Sequence, residues 1–148
     1  MRVLIDTNVL VSAVLFPGGV TRQALACAVE SDTDAIVCDY TISELHDVFE
    51  RKFSDQVKLL PRFMAYLSSG VTIVATPESP GLNEPTLRDP KDQPILSAAR
   101  AFEVDLILTG DKDLLEAGLN RPRTVSPGVF LADEMGGRNH DVSAHDPK

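Results

Sequence analysis

Short apolar runs alternate along this chain with longer segments whose apolar residues recur at helical spacing. Between residues 42 and 53, for example, Ile42, Leu45, Val48 and Phe49 fall on one helical stripe. Repeated alternation of this kind predicts an α/β domain with a mainly parallel sheet that helices cover on both faces. The predicted strands are Arg2–Ile5, Ala35–Cys38, Val71–Ala75, Asp105–Thr109 and Thr124–Val125.

The segments between these runs have helical length, and a Pro- and Gly-rich loop is predicted over residues 76–90. At 148 residues the chain has the common size of one domain. From Gly136 it is polar and lacks periodicity, so we expect a domain over residues 1–135 and a disordered tail over 136–148. The predicted helices are Asn8–Phe16, Thr21–Glu30, Ile42–Phe53, Val57–Leu67, Gln93–Glu103 and Asp113–Ala117.

The net charge of −8, from 22 acidic and 14 basic residues, argues against a protein that holds nucleic acid by bulk positive charge. A substrate with a phosphate backbone would need local cations. Cys27 and Cys38 have no CxxC spacing and are expected to be buried thiols, which suits a reducing cytosol. Asp6 and Asn8 interrupt the first apolar run, which argues against a signal peptide, and no run approaches the ~18 apolar residues of a membrane span. These features predict a cytoplasmic protein.

Acidic side chains fall at the junctions where predicted strands give way to helices. Asp6 closes the first strand, Glu44 lies early in the helix after the second, and Asp92 opens a later helix. Asp111 and Asp113 follow the fourth strand. Because the carboxyl ends of parallel strands share one edge of the sheet, these acids are expected to meet there, at the edge where α/β sheets bind ligands.

Each acid also has a purely structural interpretation. Thr41 to Glu44 matches a capping box, and Asp89 before Pro90 matches a helix cap. Asp6 and Asp111 could likewise cap the helices that follow them. Four carboxylates at one sheet edge, however, would repel one another without a cation. Such an oxygen-rich cluster suits Mg²⁺ or Mn²⁺, with Thr7 and Asn8 orienting Asp6.

Four sequence stretches resemble PIN-domain ribonucleases of the kind found as VapC-type toxins in bacterial toxin–antitoxin pairs. The stretches are LIDTNVLVSA, ISEL, RDPKDQPILSAA and LILTGDKDLL, and their order and spacing cover roughly residues 1 to 126. The resemblance implies a single-domain three-layer sandwich with a central parallel sheet of about five strands. It also implies a metal-dependent endoribonuclease that uses Mg²⁺ or Mn²⁺.

By this resemblance the catalytic acids are Asp6, Glu44, Asp92 and Asp111, and the metal ligands are Asp6, Asp92, Asp111 and Asp113. Glu44 is expected to be a ligand or a base that orients water. Asn8 and Thr109 match the family's small polar residues, which orient the acids or contact the substrate. RDPKD offers both Asp89 and Asp92, and Asp92 is preferred because the helix pattern runs directly from it.

The resemblance further implies an RNA substrate, a homodimer and a possible small antitoxin partner. Two groups of basic residues could grip phosphates beside the scissile one. The 41–67 helix pair, with its apolar Phe53, Phe63 and Met64, is the predicted antitoxin dock. The basic residues are Arg51, Lys52, Lys58 and Arg62, with Arg88 and Lys91 nearer the predicted site.

Other classes of protein fit less well. A dinucleotide-binding domain would have GxGxxG after the first strand, and a receiver domain would have adjacent acids there. A haloacid-dehalogenase-type phosphatase has a second Asp at the position that Asn8 occupies. His46 lies two residues from Glu44 and points to another helix face, so a metal-free histidine mechanism is disfavoured. A non-catalytic PIN-like binding module stays open as an alternative, although all four acids are present.

Overall fold

The computed structural model describes residues 1–144, and its strands form one parallel sheet in the order β3-β2-β1-β4-β5. In the central strand Val3 lies opposite Ala35 on one side and Leu106 on the other. The predicted five-stranded α/β fold is confirmed. The strands are β1 (Arg2–Ile5), β2 (Asp34–Cys38), β3 (Thr72–Val74), β4 (Leu106–Leu108) and β5 (Arg123–Val125).

Helices cover both faces of the sheet. They are α1 (Thr7–Leu15), α2 (Val20–Glu30), α3 (Asp39–Lys52), α4 (Leu60–Gly70), α5 (Gln93–Ala101), α6 (Lys112–Leu115) and α7 (Pro127–Ala144), with 3₁₀ turns at Ser54–Leu59 and Pro90–Asp92. Alternate residues of β1 point to opposite faces. Val3 and Ile5 pack in the core under α1, α2, α3, α4 and α7, whereas Leu4 packs in the core under α5 and α6.

Three boundaries differ from the sequence predictions. Helix α3 begins at Asp39, three residues before the predicted start at Ile42. The helix predicted over 57–67 is a 3₁₀ turn followed by α4, with Pro61 in the first turn of α4, where its missing N–H costs nothing. Helix α7 runs to Ala144, so the chain is helical beyond Gly136, where a tail was expected. The rest of that predicted tail, residues 145–148, lies outside the described residues, and the domain boundary at 135 stays a prediction.

Over residues 1–144, no single helix has the length and apolar character needed to cross a membrane. Helices α1 and α2 meet that test only as a pair bent by 116°, and both contribute buried side chains to the core.

Candidate active site

Five carboxylates line one cleft of about 410 Å³ at the carboxyl end of the sheet. They come from five places in the sequence: the ends of β1 and β4, helix α3, and both ends of the 3₁₀ turn before α5. The lining also includes apolar side chains, among them Phe16 and Phe53, the cap residues that follow α1 and α3. The five acids are Asp6, Glu44, Asp89, Asp92 and Asp111.

Asp6 is held by hydrogen bonds on both carboxylate oxygens. Oδ1 accepts from the Thr7 backbone N–H at 2.7 Å, which caps α1. Oδ2 accepts from the Thr109 hydroxyl at 2.8 Å and from Asn8 Nδ2 at 3.1 Å. The side chain is only 4% exposed. Asp6 is therefore both a helix cap and a buried member of the acidic cleft, so the two interpretations from the sequence are compatible.

Thr109 and Asn8 connect the ends of β1 and β4. The fully buried Thr109 Oγ1 also accepts from the Asp111 backbone N–H at 2.9 Å, and Asn8 Nδ2 lies 3.3 Å from it. Asn8 Oδ1 accepts from the Gly110 N–H at 2.7 Å. A Cβ at position 110 would lie 3.3 Å from that same oxygen, so glycine lets the loop approach Asn8 closely. Both residues act here by orienting Asp6 and the Asp111 loop.

Asp89, Asp92 and Asp111 form a close group of carboxylates, in which one oxygen of each lies within 4.8 Å of the others. Asp89 caps the 3₁₀ turn by accepting from the Lys91 N–H at 3.0 Å. Asp111 caps α6 by accepting from the Asp113 N–H at 2.9 Å. Asp92 makes no capping hydrogen bond, so capping does not explain its place in the cleft.

Two of the buried carboxyls have strongly raised pKa values. Burial raises the pKa of Asp6 to about 6, although hydrogen bonds from Thr109 and Thr7 offset part of that cost. Burial also raises the pKa of Asp92 to about 7, and there the neighbouring Asp111 carboxylate adds to the rise. Two carboxyls with pKa values raised this far in one cleft indicate a candidate functional site.

Glu44 reaches the cleft from α3, one turn after Tyr40. The Tyr40 hydroxyl lies 3.2 Å from Glu44 Oε2 and 3.3 Å from the Lys91 carbonyl oxygen. Burial, followed by the Glu44 charge, raises the pKa of Tyr40 to about 12, so the hydroxyl remains a proton donor. The capping-box interpretation of Glu44 is wrong, because Thr41 lies inside α3 rather than before it.

Asp113 does not line this cleft. It lines the neighbouring cleft, which Asp89 and Asp92 also line, and there it is 4.0 Å from the exposed side chain of Arg88. Of the six basic residues singled out from the sequence, Lys52 and Lys91 line the acidic cleft.

The loop before the 3₁₀ turn is fastened to α5 through Glu84. Its Oε2 accepts from Gln93 Nε2 at 2.6 Å and from the Ser97 hydroxyl at 2.7 Å. Burial raises the pKa of Glu84, but these hydrogen bonds outweigh it and hold the pKa below its usual value. Gln93 Oε1 also accepts from the Leu87 N–H at 2.8 Å. These contacts fix the segment that carries Asp89 and Asp92.

The sequence did not indicate Tyr40, the place of Asp89 in the cleft or the unpaired hydroxyl of Thr7. Asp89 was set aside in favour of Asp92, whereas both lie in the cleft. Tyr40 went unnoticed, although its i, i+4 spacing from Glu44 would have placed both on one helix face had the helix been started at Asp39. Thr7 lines the cleft, and its buried Oγ1 has no hydrogen-bond partner within residues 1–144, a feature that no sequence pattern signals.

Comparison with known proteins agrees with this fold. No curated protein sequence matches the chain. The fold is similar to that of a chain in the crystal structure of VapBC2 from Rickettsia felis bound to a DNA fragment from their promoter. That match has a TM-score of 0.64 and 15% identity, and it covers 85% of this chain and 98% of the other. The sequence model of the PIN domain matches residues 2–113, which include every acid of the cleft. The chain therefore belongs to the PIN domain family.

Proposed function

We propose that this protein is a metal-dependent endoribonuclease that hydrolyses RNA phosphodiester bonds. The observation that carries the proposal is the group of three carboxylates within 4.8 Å of one another, in a cleft that also contains Asp6 and Glu44. Carboxylates this close repel one another unless they share a proton or a cation. A divalent cation is the ligand that this arrangement fits best.

The chemistry of the donors agrees with Mg²⁺ or Mn²⁺. All the candidate ligands are oxygen atoms, which hard divalent cations prefer, and no His or Cys side chain lines the cleft. The hydroxyl of Thr7 adds an unsatisfied polar group, and leaving such a group buried costs about 1–3 kcal/mol. A hydrated cation in the cleft would offer hydrogen-bond partners where the protein provides none.

We assign the cation to Asp92 and Asp111, with Asp6 and Asp89 contributing directly or through water. When bound, such an ion lowers the pKa of a water molecule and offsets charge on the phosphoryl oxygens. Glu44, which faces the group from α3, orients the attacking water and can take its proton. Lys91 and Lys52 line the same cleft and would contact phosphates on either side of the scissile one. Asp113 receives no direct role, because it lies outside the cleft.

We further infer that the protein is the toxin of a toxin–antitoxin pair, acting in the cytoplasm as a homodimer. Support comes from the motif resemblance and from the fold it shares with a chain of a VapBC2 structure. The surface predicted for the antitoxin requires one change. Phe63 is 5% exposed and belongs to the core, so it cannot contact a partner. Phe53 lines the cleft and is the better candidate from that segment.

The alternatives have less support. In a haloacid-dehalogenase-type phosphatase the position of Asn8 would be an acid, whereas here the Asn8 amide donates to Asp6 and accepts from Gly110. An aspartate at this position would face two acceptors and would add another charge to the cleft. A non-catalytic PIN-like module has no need for five converging carboxylates, which cost stability.

The direct test is RNA cleavage by the purified, partner-free chain with Mg²⁺ or Mn²⁺. We expect cleavage that EDTA abolishes and that Asp92→Asn reduces roughly 100-fold or more, because neutralising a ligand weakens metal binding. Asp47→Asn, an exposed acid on α3, is the matched control and should cleave like the wild type. Cleavage that persists in EDTA, or an Asp92→Asn variant with full activity, would rule out the proposed mechanism.

A further inference from the structure

The hydroxyl of Tyr40 joins two acid-bearing segments that are far apart in the sequence. It lies 3.2 Å from Glu44 Oε2 on its own helix and 3.3 Å from the carbonyl oxygen of Lys91, the residue before Asp92. We propose that Tyr40 is a positioning residue, which holds Glu44 and the Lys91–Asp92 turn in the arrangement that binds the divalent cation. This inference rests on the proposed metal-dependent function.

The need for such a contact follows from charge. Glu44 is the member of the acidic group that comes from α3, and the other carboxylates of the cleft repel it. Asp6, Asp89 and Asp111 are each held by hydrogen bonds from backbone N–H groups. For Glu44 the contact that the structure provides is the Tyr40 hydroxyl. A donor at this place keeps the carboxylate turned toward the cleft.

Tyr40 is itself held in place. Its backbone N–H donates to Thr76 Oγ1 at 3.2 Å, and the Thr76 N–H donates to Asp39 Oδ1 at 2.9 Å. The ring packs against the core under α5. Because its backbone and ring are both held in place, the Tyr40 hydroxyl can fix the position of the Glu44 carboxylate, which a mobile surface tyrosine could not do.

The chain provides a matched control. Tyr66 has the same kind of contact, with its hydroxyl 3.4 Å from Glu30 Oε2, and it is also half-buried. Neither Tyr66 nor Glu30 lines the acidic cleft. Tyr40→Phe and Tyr66→Phe thus each remove one oxygen atom and one tyrosine–glutamate contact, but only the glutamate that Tyr40 contacts lines the cleft.

The main measurement is the affinity for Mg²⁺, by calorimetry, of the full-length wild type, Tyr40→Phe and Tyr66→Phe. We expect Tyr40→Phe to weaken binding about 10-fold, because Tyr40 contacts Glu44 beside the cation and the turn that carries Asp92, and groups that position a metal site commonly contribute this much. Tyr66→Phe should bind like the wild type. In a Glu44→Gln background the effect of Tyr40→Phe should shrink, because the two residues act as a pair. A Tyr40→Phe variant that binds Mg²⁺ and cleaves RNA like Tyr66→Phe would overturn the inference while leaving the nuclease proposal intact.

A second measurement does not depend on the folding of Tyr40→Phe. The chain has two tyrosines and no tryptophan, so in Tyr66→Phe the only tyrosine emission comes from Tyr40. That emission should change saturably as Mg²⁺ is added, with the dissociation constant found by calorimetry. Emission that stays constant while calorimetry reports binding would contradict the role of Tyr40. A wild type that binds no Mg²⁺ and cleaves no RNA would instead overturn the proposed function, and the role of Tyr40 with it.

Discussion

Asp6 and Asp92 are both buried carboxyls of one cleft with raised pKa values, yet their surroundings differ. Asp6 receives hydrogen bonds from a backbone N–H, a hydroxyl and an amide, all within 3.1 Å. Asp92 has no capping bond, and among the charges that raise its pKa are those of Asp111, Asp6 and Asp89. The protein provides partners for the charge of Asp6 but surrounds Asp92 with more negative charge. The charge of Asp6 is thus compensated within the protein, whereas the charge around Asp92 is not, which is why the proposed cation is assigned to that side.

The difference originates in local backbone structure. Asp6 precedes α1, where free N–H groups point back toward its side chain. Asp92 ends a 3₁₀ turn whose cap position Asp89 already occupies, so the free N–H groups there have a partner. The side chain of Asp92 therefore makes no capping hydrogen bond and lines the cleft.

The largest expected effect is stabilisation by metal. In the metal-free protein, the folded-state pKa values of Asp6 and Asp92 lie above their ordinary 3.8, so the folded state binds more protons than the unfolded one. The unfolding free energy should therefore fall as pH rises from about 4 through about 7. Mn²⁺ at a hundredfold excess over its dissociation constant should restore ~2.7 kcal/mol, or roughly 5–10 °C in Tm, at pH 8.

The measurement is thermal unfolding at pH 5 and pH 8, with and without millimolar Mn²⁺. The metal shift should be larger at pH 8, where the carboxyls are ionised. Equal Tm values with and without Mn²⁺ at pH 8 would mean that no cation binds beside Asp92, and that Asp92 does not differ from Asp6 in this respect.

Much of the fold follows from the sequence because the core depends on periodicity. The runs around β1, β2 and β4 are continuously apolar and lie buried between helices, and each was predicted within two residues of its observed bounds. The start of α3 was missed because Asp39 and Tyr40 are polar or amphipathic, and their place in the helix depends on Thr76, which is remote in sequence. Long-range hydrogen bonds of this kind leave no periodic pattern.

Four acids were predicted to meet because each lies where a strand gives way to a helix or where a helix begins. All four line one cleft, and they are Asp6, Glu44, Asp92 and Asp111. The sequence did not indicate that Asp89, Asp92 and Asp111 form a close group. The 3₁₀ turn brings Asp89 and Asp92 to the same side, whereas a helix beginning directly at Asp92 would leave Asp89 behind it. Asp113 follows Asp111 by two residues but lines the neighbouring cleft, which Asp89 and Asp92 also line, so its role as a ligand stays a prediction.

A second, smaller effect separates Asp6 from Asp92 by sign. Asp92→Asn removes one of several repelling charges and should raise the metal-free Tm at pH 8 by roughly 2–4 °C, or about 1 kcal/mol. Asp6→Asn also removes a buried charge, but both oxygens of Asp6 accept hydrogen bonds. The NH2 group of an asparagine there would face donors, either the Thr7 N–H or the Thr109 hydroxyl and the Asn8 amide. That mismatch costs about 1–3 kcal/mol, so its Tm should lie at or below that of the wild type.

Both variants should be unfolded at pH 5 as well, where the gain of Asp92→Asn ought to shrink because the wild-type carboxyl is then protonated. A gain that is equal at pH 5 and pH 8 would indicate a change of packing rather than relief of charge. If Asp6→Asn and Asp92→Asn raise the Tm equally, the hydrogen bonds to Asp6 do not stabilise its carboxylate more than that of Asp92 is stabilised.

The smallest expected effect concerns Asp113. Its contact with Arg88 is 4.0 Å long and the guanidinium is 88% exposed, so the pair contributes little. The bond that Asp113 makes to Asp111 comes from its backbone N–H, which Asp113→Asn retains. We therefore expect this variant to change stability by no more than about 0.5 kcal/mol and RNA cleavage by no more than about twofold. Cleavage kinetics beside Asp92→Asn provide the measurement. If Asp113→Asn instead reduced RNA cleavage as much as Asp92→Asn does, Asp113 would be a metal ligand, as the family resemblance implies. The group of acids that binds the cation would then include Asp113 as well as Asp89, Asp92 and Asp111.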